Sequence, residues 1–189
     1  MAPGGFMIQV FAFQFFLLGL GLVLARWAGL DPVSACRWGP GAIAMGIAGG
    51  TGMGLVALRV TAHPVFRDLE RLINRQVAPL FADLSWQDLL AIAAMAGASE
   101  EVLFRGMLQP WLAGVLPGGE WTAIAAAATL FGLCHALSPA YFLFAFALGA
   151  IFGWSAMATE NLAVPIILHA AYDAVVLLDM TGKKTEDGN

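Results

Sequence analysis

Charge is scarce in this chain. Nine Lys and Arg and 13 Asp and Glu amount to 12% of its 189 residues, against about 25% in an ordinary soluble domain. Hydrophobic residues make up 60% and the mean hydropathy is +0.79, far above the roughly 45–50% apolar content of soluble domains. A soluble globular fold is thereby excluded. Two cysteines, Cys36 and Cys134, cannot build a disulfide framework, and both read as small hydrophobes. The first ten residues, "MAPGGFMIQV", lack the basic segment of a secretory signal, and no small-residue cleavage site follows. The first apolar run is therefore expected to be retained. Internal repeats and low-complexity linkers are absent as well, and no nucleic-acid partner is expected.

What the chain does have is long apolar runs. A helix needs about 20 apolar residues to cross a bilayer, and six stretches qualify: 6–25, 39–58, 86–113, 121–137, 141–158 and 162–178. The second is glycine-rich, which permits close helix–helix approach in lipid. Between the second and third, "PVFRDLERLINRQVAPLFA" places Val65, Phe66, Leu69, Leu72, Ile73, Val77 and Leu80 at helical spacing, with Arg67, Arg71 and Arg75 along another face. That pattern suits a helix lying on a membrane surface; a solvated connector packed on the protein is the alternative. The expected fold is all-α: a polytopic transmembrane bundle of about six spans, with an interfacial amphipathic helix. Its parts are two accessory spans (1–62), the amphipathic connector (63–85), a four-helix core (86–179) and a polar tail (180–189). Trp27, Trp38, Trp86, Trp111 and Trp121 fall near span ends, as interfacial anchors should. Arg59, Arg67, Arg71, Arg75, Lys183 and Lys184 share one side, against Arg26 and Arg37 on the other, so both termini are expected in the cytoplasm.

Ionisable groups inside the last four spans are few: Glu100, Glu101, Arg105, His135, His169 and Asp173. Each charge at a helix centre costs about 2.5–3.5 kcal/mol on insertion scales, so pairing must offset part of the sum. Glu101 and Arg105 are four apart and share a face, as an ion pair requires. Glu100 lies about 100° around the helix and is left over for chemistry. His169 and Asp173 are again four apart, and a carboxylate one turn away can fix an imidazole's tautomer. His63, beside Pro64 in a loop, reads as ordinary.

These residues form three motifs: E-E-x-x-x-R with a following glycine ("EEVLFRG", Glu100 to Gly106), F-x-x-x-H (Phe131, His135) and H-x-x-x-D (His169, Asp173). In this order they resemble the CPBP family of intramembrane proteases, which includes the CAAX prenyl endopeptidases and bacterial relatives called Abi proteins. The resemblance covers about residues 86–179. It implies an endopeptidase in which Glu100 is the general base, helped by His135, while Glu101 and Arg105 organise the site and His169 stabilises the oxyanion. Many relatives carry Asn where this chain has Asp173. An ionised carboxylate cannot donate to an oxyanion, so Asp173 is either protonated or serves to orient His169.

Other readings stay open. Two His and several carboxylates could ligate zinc, although neither H-E-x-x-H nor Glu-x-x-His on one helix occurs; no cofactor is the expectation. Cys134 adjoins His135, but helix neighbours point about 100° apart and make no nucleophile–base couple. A non-catalytic scaffold, immunity protein or transporter subunit would also place charges in a bundle. The expected partners are the lipid bilayer and a membrane-anchored protein or peptide substrate, in a bacterial inner membrane.

Overall fold

Proline marks where the helices begin. In the computed structural model, five of the eight helices among the described residues start at one, the position where its missing N–H costs nothing. The structure describes the backbone of residues 3–187 and the side chains of residues 4–182. The helices are α1 (Pro3–Trp27), the one-turn α2 (Pro32–Ala35), α3 (Pro40–Thr61), α4 (Pro64–Phe81), α5 (Trp86–Val115), α6 (Gly119–Cys134), α7 (Pro139–Thr159) and α8 (Ala163–Asp187). No strand occurs among the described residues.

The all-α bundle expected from the sequence is the observed fold, but the span count differs. Four helices, α1, α3, α7 and α8, are long and apolar enough to cross a membrane, and a fifth only if the bent pair α4 and α5 is taken as one. Two of the six expected spans fall short for physical reasons. The charges of α5 lower its hydropathy. Helix α6 has 16 residues, about 24 Å at 1.5 Å per residue, against a hydrocarbon core of about 30 Å.

Helix α4 meets α5 at a bend of 109°, with Leu69 buried and Arg67, Arg71 and Arg75 exposed. A capping box starts α5: Asp88 N–H donates to Ser85 Oγ at 3.2 Å, and Ser85 N–H donates to Asp88 Oδ2 at 3.1 Å. Both α4 and α5 contain a π-helical turn, Ile73–Val77 and Val102–Leu108. Each ends two residues before a proline, Pro79 or Pro110, which has no N–H to continue the ladder. Helix α8 does not stop at Asp179 but continues through Asp187. Residues 188–189 of the expected tail, and the side chains of Lys183 and Lys184, lie outside the described residues.

The core is organised around α8, which packs along both α3 and α5, while α6 packs on α7 and α1 on α5. Glycines allow the α3–α8 contact. A Cβ at Gly54 would lie 2.8 Å from Val175 Cβ, and one at Gly50 would run into the Leu168 carbonyl. This G-x-x-x-G spacing lets two backbones approach where lipid offers no hydrophobic drive. It also fixes the height of α8, and so of its histidine. Four of the five expected tryptophan anchors are more than half exposed, the fifth being Trp111.

Candidate active site

Three helices deliver the ionisable residues. Glu100, Glu101 and Arg105 come from α5, His169 and Asp173 from α8, and His135 from the C-terminal cap of α6. The π turn begins directly after Glu101; such widened turns recur at functional sites.

Glu101 is the hub. Its Oε1 accepts from Arg105 Nη1 at 2.8 Å and from His169 Nδ1 at 2.8 Å, and the Glu101 and Arg105 side chains are both fully buried. Arg105 Nη2 donates to the Gly149 carbonyl of α7 at 2.8 Å. Its guanidinium sits 4.7, 5.3 and 5.6 Å from the ring centres of Phe131, Phe152 and Phe104, an aromatic box that suits a desolvated cation. A Cβ at Gly149 would come within 3.2 Å of that Nη2, so glycine gives the arginine its room. The ion pair expected from the i, i+4 spacing is present.

Glu100 faces elsewhere. Its Oε2 is 3.7 Å from His135 Nε2, beyond ordinary hydrogen-bond range, and has no hydrogen-bond partner. His135 Nδ1 lies 2.8 Å from the Phe131 carbonyl. A carbonyl only accepts, so Nδ1 carries the proton, and in the neutral ring Nε2 presents its lone pair to Glu100. Two acceptors this close suit a water lying beside them that donates one proton to each. The early end of α6 at Cys134 brings the imidazole within reach of α5.

His169 stacks on Phe152, ring centres 4.5 Å apart, and its Nε2 is 3.5 Å from Asp173 Oδ2. The hydrogen bond that orients His169 therefore comes from Glu101 rather than from Asp173. His169, Asp173 and His135 line one cavity of about 100 Å³ together with Tyr141 and Tyr172, the chain's only tyrosines. His63 caps α4, its Nδ1 accepting from Val65 N–H at 3.3 Å, and takes no part. Cys134 is exposed. Among the described residues no three His, Cys, Asp or Glu side chains are grouped so that they could hold a metal ion.

A family model described as type II CAAX prenyl endopeptidase Rce1-like matches residues 82–175, the segment that contains all six of these residues. The chain belongs to the CPBP/CAAX protease family. No curated protein and no solved structure matches the chain. Its CAAX-type core is a protease core, set in a multi-pass membrane protein.

Several residues of this core escape sequence reasoning. Gln109 extends the 101–105 spacing by one more turn, and that spacing was the signal: its Nε2 donates to the Gly153 carbonyl at 3.1 Å, one turn above the Arg105–Gly149 bond. Ser99, next to Glu100, is hydrogen-bonded to Gln14 of α1, so the first helix buttresses α5 at the motif. Nothing local in the sequence marks Gln14, Gly149 or the two tyrosines.

Proposed function

We propose that this chain is an intramembrane endopeptidase that hydrolyses a peptide bond near the C-terminus, or within a membrane segment, of a membrane-associated protein, without a metal ion. Glu100 is the general base. It takes a proton from a water that also donates to His135 Nε2, and the water oxygen attacks the scissile carbonyl carbon. The carbonyl electron pair moves to its oxygen, which the charged His169 ring meets with Nε2–H. The tetrahedral intermediate then collapses, the C–N bond breaks, and the proton held by Glu100 passes to the leaving nitrogen. Glu101 and Arg105 hold His169 in place, and Asp173 favours the positive charge on its ring. Stabilising the oxyanion accounts for a large share of the barrier reduction in such reactions.

The observation that carries this reading is the 3.7 Å approach of Glu100 Oε2 and His135 Nε2, two groups from different helices close enough to share one water lying beside them. A substrate carried in the lipid is supported by an apolar groove of about 420 Å³ between α3 and α7, which shares Phe144 and Leu148 with the cavity. The family's description points to a prenylated C-terminal tail. The cavity adjoins Ile73 of α4, whose arginines favour the cytoplasmic side. That supports cleavage at the cytoplasmic face of a bacterial inner membrane, with both termini on that side.

The test is a Glu100→Gln strain compared with wild type by membrane proteomics, beside cleavage assays on purified protein with and without a chelator. Uncut precursors should accumulate, and the purified variant should lose roughly 10²–10⁴ in rate while chelation changes nothing. A folded Glu100→Gln protein that cuts normally would refute the mechanism, and stoichiometric zinc whose removal stops cleavage would refute its metal independence.

A further inference from the structure

Tyr141 on α7 and Tyr172 on α8 both line the cavity with His135, His169 and Asp173. In the protease reading, on which a role for either tyrosine rests, a negative oxygen develops in that cavity. Removing a single donor from an oxyanion site typically costs about 10²–10³ in kcat, yet side-chain donors here are few. The Nδ1 proton of His135 is committed to the Phe131 carbonyl at 2.8 Å, and that of His169 to Glu101 Oε1 at 2.8 Å. Only Nε2–H of a charged His169 is left among the imidazole donors. An ionised Asp173 accepts and cannot donate. The two phenols are the remaining O–H donors.

Their placements differ. Tyr172 is buried, one turn beyond His169, its ring centre 6.5 Å from that of Phe152. Tyr141 is half-buried in the first turn of α7, with its N–H held by Ser138 Oγ at 3.1 Å. It follows His135 by six residues across the α6–α7 turn and lines the cavity with it. In that reading the attacking water sits beside Glu100 and His135, so the phenol nearer His135 is the one placed to complement His169. We propose that Tyr141 is a catalytic residue, donating its phenolic O–H to the oxyanion as the second donor beside His169 Nε2–H. No proton is transferred. The hydrogen bond strengthens as the carbonyl becomes an alkoxide and weakens again when the C–N bond breaks and the carbonyl re-forms.

The experiment uses the full chain in detergent and a quenched fluorescent peptide ending in a farnesylated CAAX sequence. Three variants are compared with wild type for kcat, KM and thermal unfolding: Tyr141→Phe, Tyr172→Phe and Glu100→Gln. Tyr141→Phe should lower kcat by roughly 10- to 100-fold with KM and unfolding temperature little changed, and Tyr172→Phe should do much less. A Tyr141→Phe enzyme with wild-type kcat overturns the role of Tyr141 and leaves the protease reading intact if Glu100→Gln is dead. Cleavage that is absent from wild type, or that survives Glu100→Gln, overturns the reading beneath it.

Discussion

Glu101 Oε1 lies 2.8 Å from Nδ1 of His169, 68 residues further along the chain, and 2.8 Å from Nη1 of Arg105. One buried oxygen thus ties α5 to α8, and through Arg105 and the Gly149 carbonyl to α7 as well. The two adjacent glutamates of the motif have separate physical tasks. Glu101 holds helices together, and Glu100 faces the gap beside His135.

That division predicts opposite stability effects from the same substitution. Glu101→Gln removes the charge that compensates a fully buried guanidinium, and breaking such a pair costs about 3–5 kcal/mol. Glu100→Gln leaves no buried cation unpaired and should cost less than about 1 kcal/mol. Thermal unfolding in detergent measures both. Equal shifts for the two variants would contradict the assignment of Glu101 as the structural hub.

The α3–α8 contact predicts a second contrast. Gly50→Ala puts a methyl group into the Leu168 carbonyl, one residue before His169, so α8 must shift. We expect a loss of about 2 kcal/mol or more and a fall in cleavage rate, since His169 moves with its helix. Gly19→Ala on α1 has open space around its Cβ and should be neutral or stabilising by up to about 1 kcal/mol. Similar behaviour of the two alanines in unfolding and activity assays would rule out close packing as the role of Gly50.

How much of the fold and site was written in the sequence depends on the range of each interaction. Periodic apolar runs and the Ser85–Asp88 box are local signals, and the helices they indicate are present, with starts within two or three residues of expectation. The Glu101–Arg105 pair is also local. The span count was less legible, because hydropathy windows do not register that α6 ends at Cys134, where the chain turns to offer His135. The π turns depend on Pro79 and Pro110 acting backwards on the preceding ladder. The Glu101–His169 bond, the Gln14–Ser99 bond and the role of Gly149 depend on packing between segments far apart in the chain. A one-dimensional pattern carries no information about those distances.

Cys134 supplies a prediction against a thiol mechanism. It precedes His135 but is exposed, while the His135 ring turns to Glu100 and stacks on Phe131 with ring centres 4.4 Å apart. Cys134→Ala should keep cleavage within about twofold of wild type, and thiol alkylation should not inhibit. Loss of activity on either treatment would return the cysteine to consideration.

The groove between α3 and α7 predicts a separation of substrate access from chemistry. Gly52 lines it, and nothing lies within 4 Å of a Cβ built there, so a large side chain fits without disturbing the core. Gly52→Phe would fill a channel whose wall includes Phe144 and Leu148, both shared with the cavity. If substrates slide in from the lipid, this variant should raise KM for a vesicle-embedded, prenylated peptide by roughly tenfold, a change of about 1.4 kcal/mol in binding. Its kcat and unfolding temperature should stay near wild type, because Glu100, His135 and His169 are untouched. A short soluble peptide that reaches the cavity from the α4 side should be cut as before. A uniform loss on both substrates would mean that the groove only faces lipid and that the peptide enters past α4.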